Sequence, residues 1–140
     1  AKLSEILGGK VTLVSVCVRD IAIPMLKTWI QPIKEANPNL NIVQVSFVEG
    51  AMYKMFKGML LGSIKSRYPA DEHKSLFVSF SDSEEFREQL GLKNRLVAYV
   101  FIVDQERRIR WRGVGYAMQH ELKALQKSAK TLSQSPKSHR

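Results

Sequence analysis

The sequence predicts an α/β fold, a three-layer sandwich whose mixed sheet has parallel core strands and ends in a β-hairpin followed by a helix. Three observations predict it. The 140 residues fit one ordinary domain. Nearly continuous apolar runs, typical of strands covered on both faces, alternate with segments of helical periodicity. The last two strand-like runs are separated by a short turn, so they form an antiparallel hairpin, whereas the earlier strands pair in parallel through crossovers.

The first strand and helix are predicted from the apolar run Val11–Val18 and the residues that follow it. Asp20 is a candidate N-cap, and Pro24 suits a first helical turn. The Asn-Pro-Asn sequence at 37–39 ends the helix. Its inward face is expected to consist of Leu26, Trp29, Ile30 and Ile33.

A methionine-rich helix is predicted after the second strand, Ile42–Val48. Its apolar stripe comprises Met52, Met55, Phe56, Met59, Leu60 and Ile64. The spacing favours packing against the core. The alternative is an adaptable groove for a partner, because methionine is flexible and polarisable.

A third strand is expected at Leu76–Phe80. Ser81 and Glu84 have the spacing of a capping box, which predicts a helix start, and Gly91 is expected to end that helix.

The C-terminal part contains the hairpin and the last helix. Leu96–Val103 is the most hydrophobic strand, and the turn 104–106 leads into Arg108–Arg112. Gly113 and Gly115 are expected to break that strand. The last helix is predicted over Ala117–Leu132. This element order is that of a thioredoxin-like domain, which we assign to residues 1–132, followed by a flexible basic tail at 133–140.

The thiols of a redox thioredoxin are missing from this sequence. The two cysteine positions of a Cys-x-x-Cys turn correspond to Ala22 and Met25, and the stretch 95–98 lacks the proline that precedes the hairpin in thioredoxins. Thiol–disulfide exchange at this turn is therefore excluded. Cys17 lies inside the first strand and is interpreted as a small buried hydrophobe. The alternative is a degenerate peroxiredoxin- or thioredoxin-like oxidoreductase that uses Cys17.

Other catalytic or metal-binding patterns are absent from the sequence. His73, His120 and His139 do not have metal-ligand spacing, and no phosphate-binding glycine loop occurs. We therefore predict no catalytic residues, no metal and no cofactor. No apolar run approaches the roughly 18 residues of a membrane span.

Positive charge is concentrated in the last quarter of the chain. The net charge is +9, and residues 105–140 hold nine of the 22 Lys and Arg but two of the 13 Asp and Glu. Such a region suits an anionic membrane surface, an acidic protein face or nucleic acid. A basic RNA- or ribosome-associated module stays an alternative, but few aromatic residues are interleaved with the arginines, and this disfavours nucleic acid.

The strand Arg108–Arg112 is the most unusual segment. Simple alternation places its arginines on one face, with Ile109 and Trp111 on the other. Arg110 is a candidate carboxylate clamp, or alternatively a charge that protects an edge strand. Trp111 is a candidate anchor in a partner pocket, or alternatively packs on the last helix.

These segments carry a resemblance to a known family. Arg87–Leu92 with Asn94, then Tyr99–Asp104, then the Arg-Ile-Arg-Trp-x-Gly-x-Gly run at 108–115 resemble the mitochondrial ATP synthase assembly factor family. Upstream, the similarity includes Arg19, Trp29, Pro32, Arg67, Tyr68, Pro69, Glu72 and His73. Family members carry an N-terminal targeting extension, so we interpret the chain as a mature or trimmed domain.

The resemblance implies a non-enzymatic chaperone. Its expected client is the newly made proton-channel subunit a, and its expected location is the matrix side of the mitochondrial inner membrane, held peripherally. The basic last quarter is then expected to rest on anionic lipid headgroups. The predicted client-binding residues are Arg110, Trp111, Asn94, Gly113, Gly115, Arg19 and Asp20.

Overall fold

The structure is a computed structural model that describes residues 9–48, 56–80 and 83–134. Short 3-10 segments occupy Asp20–Ala22 and Ala70–Ser75. In chain order the strands and helices are β1 (Thr12–Cys17), α1 (Ile23–Ala36), β2 (Asn41–Phe47), α2 (Lys57–Lys65), β3 (Leu76–Ser79), α3 (Glu84–Leu90), β4 (Tyr99–Val103), β5 (Ile109–Val114) and α4 (Gln119–Gln134).

The sheet has the predicted mixed topology, with strand order β3-β2-β1-β4-β5. β1, β2 and β3 are parallel, and β4 is antiparallel to both β1 and β5. Val14 of the central strand lies opposite Val43 of β2 and Phe101 of β4. The apolar β1 is thus paired on both edges and buried throughout, as its sequence predicts.

Alternating side chains of the sheet enter two separate cores. Leu13 and Cys17 belong to the core that α1 and α4 cover, and Trp29 of α1 is fully buried there. Val14 and Val16 belong to the opposite core, against which Phe86 and Leu90 of α3 pack. The three-layer α/β sandwich is therefore confirmed.

The start of α1 differs from the prediction, because Asp20 is not its N-cap. The N-cap is Ala22, which makes no side-chain capping bond, and Asp20 instead begins the preceding 3-10 segment. The Asp20 carboxylate forms an ion pair with Arg67. Pro24 lies in the first turn, as predicted.

Two predicted boundaries at the C-terminal end are wrong. Gly113 does not break β5; it is buried inside the strand, which continues to Val114. Gly115, with φ of 74°, follows the strand end. α4 extends to Gln134, so residues 133 and 134 are helical rather than part of a tail. Residues 135–140 lie outside the described residues.

The described residues of the methionine-rich stripe divide between the core and the surface. Ile64 is buried, but Met59 is 74% exposed and Phe56 is 50% exposed, so the core-packing prediction is wrong for both. Met52 and Met55 lie outside the described residues, as does Ser81 of the predicted capping box. α3 begins at Glu84 with Ser83 at the N-cap position, two residues later than that box predicts.

A register shift changes the faces of β5. Trp111 lies opposite Ile102, and Ile109 opposite Val103, so Arg110 has no opposing residue in β4. Opposed residues share a face of the sheet, and Ile102 and Val103 belong to different cores. Ile109 and Trp111 therefore do not share a face, and the predicted alternation fails at this β-bulge.

Candidate functional site

The turn between β4 and β5 is organised around the buried Asp104 carboxylate. Its Oδ1 accepts the backbone N–H groups of Glu106 and Arg108 at 2.9 Å each. Its Oδ2 lies 3.2 Å from Nη1 of Arg110. Burial alone raises the pKa of Asp104, but the hydrogen bonds from Arg108, Arg110 and Glu106, together with the positive charge of Arg108, outweigh it, and the pKa is lowered. Arg110 thus clamps a carboxylate of its own hairpin, and half of its side chain stays exposed.

Trp111 and the two glycines fit the hairpin onto α1. The Trp111 ring packs edge-on against Trp29, with ring centroids 5.7 Å apart, and is partly buried against the core that α1 and α4 cover. A Cβ at Gly113 would lie 2.6 Å from the Trp29 ring, so no larger residue fits. Trp29 Nε1 donates to the Gly115 carbonyl oxygen at 2.7 Å.

Asn94 shapes the loop that precedes β4. Its side-chain oxygen accepts the backbone N–H of Leu96 at 2.9 Å. Its own backbone N–H donates to the Tyr99 hydroxyl, which donates back to the Asn94 carbonyl oxygen at 3.0 Å. These contacts give Asn94 a local structural role and hold Leu96 at the surface.

The turn after β1 holds no accessible thiol. Cys17 is 1% exposed, and its Sγ donates to the Arg19 carbonyl oxygen at 3.1 Å. Burial, with a smaller contribution from the Asp20 carboxylate, raises the pKa of Cys17 to about 12. Because the thiolate is the nucleophile, Cys17 lacks both the access and the ionisation that redox chemistry requires. Arg19 and Asp20 are exposed beside it.

The end of the sheet at this turn is unusually apolar. β1, β2 and β3 finish here, β4 begins here and β5 finishes here, as their pairing requires. α2 and the residues that follow it lie at the same end, since Lys57 at the start of α2 stacks over Phe80 after β3, and Arg67, two residues beyond its end, pairs with Asp20 after β1.

Seven of the eight large apolar side chains found exposed among the described residues lie at this end. We call this set the apolar sheet end; its members are Ile21, Phe56, Met59, Leu96, Val114, Tyr116 and Met118. The eighth, Ile109, lies at the opposite end of the sheet. Large exposed apolar patches mark surfaces that bind another molecule, and this makes the apolar sheet end the candidate binding surface of the described residues.

A cleft of about 390 Å³ opens between α1 and the segment Tyr68–Glu72. Its apolar walls include Ile23 and Ile30. Glu72, 8% exposed, accepts a hydrogen bond from Gln44 at 2.8 Å and pairs with Lys34 at 3.4 Å. The buried charge is thereby compensated inside the fold.

The described residues offer no metal centre, since no group of three or more His, Cys, Asp and Glu is suitably placed. His73 is used locally, with Nε2 lying 2.6 Å from the Lys65 carbonyl oxygen. None of the helices within 9–48, 56–80 and 83–134 has the length and hydrophobicity of a membrane span.

Fold and turn together define the class: a thioredoxin-fold protein without accessible thiols at the redox turn. Solved structures agree with the fold. The chain is similar to the exposed lipoprotein thioredoxin Etrx1 of Streptococcus pneumoniae (TM-score 0.59, 19% identity, 94% of this chain and 91% of that chain). It is also similar to a thiol-disulfide isomerase of Corynebacterium glutamicum (TM-score 0.56, 15% identity, 96% and 88%).

The chain belongs to the ATP10 protein family, whose model matches residues 1–132. A curated relative named mitochondrial ATPase complex subunit ATP10, from Saccharomyces cerevisiae, is 35% identical over 96 residues, covering 67% of this chain and 34% of the relative. The relative of the same name from Candida glabrata is 22% identical over 142 residues, covering 96% and 52%. The chain thus spans about half or less of these relatives' lengths.

Sequence reasoning missed most of the apolar sheet end. Of the predicted site residues, Arg19 and Asp20 lie at that end, and Asn94 and Gly115 shape its loops. Arg110 lies at the bulge near the opposite end. The signal that was available is a large apolar residue just beyond a predicted strand, as at Tyr116.

Proposed function

We propose that this protein is an assembly factor that binds newly made subunit a of the mitochondrial ATP synthase and promotes its incorporation into the proton-translocating sector, without redox catalysis. Family membership supports the assignment to the ATP synthase, because its relatives are named as subunits of the mitochondrial ATPase complex. The proposed location is the matrix side of the mitochondrial inner membrane, where the protein is held peripherally.

The observation that carries the proposal is the apolar sheet end. Ligands of open α/β sheets bind beyond the carboxyl ends of parallel strands, and this chain exposes Ile21, Leu96 and Tyr116 there. A membrane subunit that has not yet been assembled exposes apolar segments to water. Covering such segments with exposed apolar side chains requires no chemistry, in agreement with the buried, neutral Cys17.

The predicted site residues take two roles in this proposal. Arg19 and Asp20 border the apolar sheet end and are proposed to contact the client directly. Asn94, Gly113 and Gly115 are positioning residues, because their contacts hold the loops that present Leu96 and Tyr116. Arg110 stays a predicted polar contact, since half of its side chain is exposed.

Site-specific crosslinking in intact mitochondria tests the contact surface. A photoreactive amino acid is placed at Leu96 or Tyr116, with Asn39 as the control, because Asn39 is exposed just before β2, at the opposite end of the sheet and separated from β5 by two strands. We expect subunit a to be the crosslinked neighbour from Leu96 and Tyr116 and not from Asn39. Equal crosslinking from all three positions would overturn the proposed surface.

A variant pair separates binding from folding. Leu96→Ser with Tyr116→Ser is expected to reduce capture of subunit a and leave the free energy of unfolding within about 0.5 kcal/mol, because both side chains are more than half exposed. Asn39→Ser, at the opposite end of the sheet, is the control. Retained capture by the double variant, or an equal loss in the control, contradicts the proposal.

The two remaining alternatives have their own tests. Peroxide consumption that disappears in Cys17→Ser would support the oxidoreductase and overturn a non-enzymatic role. Tight RNA binding that weakens steeply with salt, in proportion to the phosphates neutralised, would support the RNA-associated module.

A further inference from the structure

A groove of about 540 Å³ lies between the C-terminal half of α1 and the helix α4. Its floor is apolar and includes Ile33 and Ala129, both 1% exposed. One wall carries Lys123, Lys127 and Lys130, all exposed. We call this feature the lysine groove.

The spacing of the three lysines places their charges in a row. Positions i, i+4 and i+7 share one face of a helix, so α4 presents three ammonium groups along one side of the apolar floor. None of the residues that line the groove is acidic. Lys34, on the neighbouring part of α1, differs in this respect because it pairs with Asp71 at 2.7 Å. The groove therefore combines uncompensated positive charge with an apolar surface.

This combination favours one kind of ligand, an amphiphile with an anionic head and an apolar tail. Lysine binds phosphate as a flexible point charge, which suits mobile lipid headgroups, whereas the planar fork of arginine suits the fixed bidentate recognition of one carboxylate or phosphate. No arginine lines the groove. No aromatic ring lines it either, so it offers no stacking platform for nucleic-acid bases.

We propose that the lysine groove is a phospholipid-binding surface, in which the three ammonium groups bind headgroup phosphates of an anionic membrane and the floor of Ile33 and Ala129 receives the upper part of an acyl chain. The inference deepens the proposed function, because a factor that assembles a membrane complex works at a membrane surface. The groove is built by α1 and α4 on one face of the sheet, and the client surface is the apolar sheet end, so the two can be tested separately.

Vesicle flotation with the full-length protein tests the proposal. The protein is mixed with phosphatidylcholine vesicles that contain cardiolipin and, separately, with pure phosphatidylcholine vesicles. We expect binding to the anionic vesicles alone and a decrease with added salt. Each lysine near an anionic surface contributes a factor of roughly fivefold in affinity, so Lys123→Gln with Lys127→Gln and Lys130→Gln should weaken binding on the order of 100-fold.

The matched control removes the same charge elsewhere. Lys27→Gln with Lys57→Gln and Lys93→Gln also replaces three exposed lysines, and we expect it to weaken vesicle binding by less than about tenfold, because only nonspecific attraction is reduced. Equal losses in the two triple variants would overturn the lysine groove as the site. Circular dichroism of the groove variant should show an unchanged helical signal, since glutamine and lysine have similar helix propensities.

Further arms distinguish other sources of the phosphate. Inorganic phosphate, added at the same ionic strength as a chloride control, should not displace the vesicles; displacement would show a site for free anions and overturn the membrane assignment. Loss of RNA binding in the groove variant without loss of vesicle binding would reassign the lysines to nucleic acid. Subunit a should still crosslink from Leu96 in the groove variant. The client surface and the lysine groove are therefore tested independently, and either proposal can fail while the other holds.

Discussion

The two ends of the sheet differ in whether their side chains are paired within the chain or left exposed. At the β4–β5 turn, Asp104 satisfies two backbone N–H groups and pairs with Arg110, so the polar groups are matched within the chain. At the other end, Leu96 and Tyr116 are left uncovered. The polar groups of the turn stabilise the hairpin, whereas the uncovered apolar set is the surface that we propose for the client.

The largest expected effect tests the structural side of this comparison. Gly113→Val should lower the free energy of unfolding by about 3 kcal/mol or more, because its side chain would overlap the Trp29 ring. Gly115→Ala is the control; no atom crowds that site, and the cost of a positive φ is about 1–2 kcal/mol. Urea denaturation measures both. A smaller loss of unfolding free energy for Gly113→Val than for Gly115→Ala would contradict the close packing of Gly113 against Trp29 of α1.

The next effect concerns the charge of Asp104. Asp104→Asn should lower the free energy of unfolding by about 2 kcal/mol at neutral pH, because the buried hydrogen bonds lose their ionic partner. The lowered pKa of Asp104 stabilises the fold above the ordinary value of 3.8, and this contribution is lost as the pH falls through the folded-state pKa. In urea denaturation, the free energies of unfolding of Asp104→Asn and of the wild type should become more similar as the pH is lowered. A difference independent of pH would contradict this assignment.

A smaller loss of stability is expected for Arg110→Ala, and the capture of subunit a by this variant tests whether the hairpin also contacts the client. Arg110→Ala should cost about 1 kcal/mol or less in stability, because the side chain is half exposed. Capture of subunit a should weaken more, by at least about fivefold. Arg108→Ala is the control, since Arg108 lies 3.7 Å from the same carboxylate. Parallel losses of stability and capture in Arg110→Ala would make Arg110 purely structural.

The smallest effect is expected at Cys17. Because the thiol is buried and its pKa is raised to about 12, alkylation at neutral pH should be slow in the folded protein and fast in urea. Cys17→Ala should leave the capture of subunit a unchanged. Rapid alkylation of the folded protein would contradict the burial of this thiol.

Much of the fold was predictable because its strands carry strong local signals. β1 and β4 are continuous apolar runs, and the inward face of α1, from Leu26 to Ile33, follows simple helical periodicity. The layers follow from the alternation of these elements. The continuation of β5 through Gly113 was not predictable, because a glycine is required there by the ring of Trp29, which is distant in sequence.

The candidate site was less predictable, because exposure depends on tertiary contacts. Periodicity identifies an apolar stripe in α2, but not that α2 lies at the end of the sheet and leaves Met59 uncovered. The faces of β5 depend on one register shift at Arg110, which alternation does not reveal. The partner of Trp111 depends on how the hairpin lies against α1, and the partner of Arg110 depends on the conformation of the turn at Asp104.

The indole of Trp29 has a mechanical consequence. It holds the Gly115 carbonyl group and fills the space above Gly113, so the hairpin and the first helix cannot slide past each other. The neighbouring Ala117 is attached to the same helix through the Thr28 hydroxyl, which accepts its backbone N–H. A client bound at Tyr116 would therefore be connected to α1 through the hydrogen bonds on either side of that residue, at Gly115 and at Ala117.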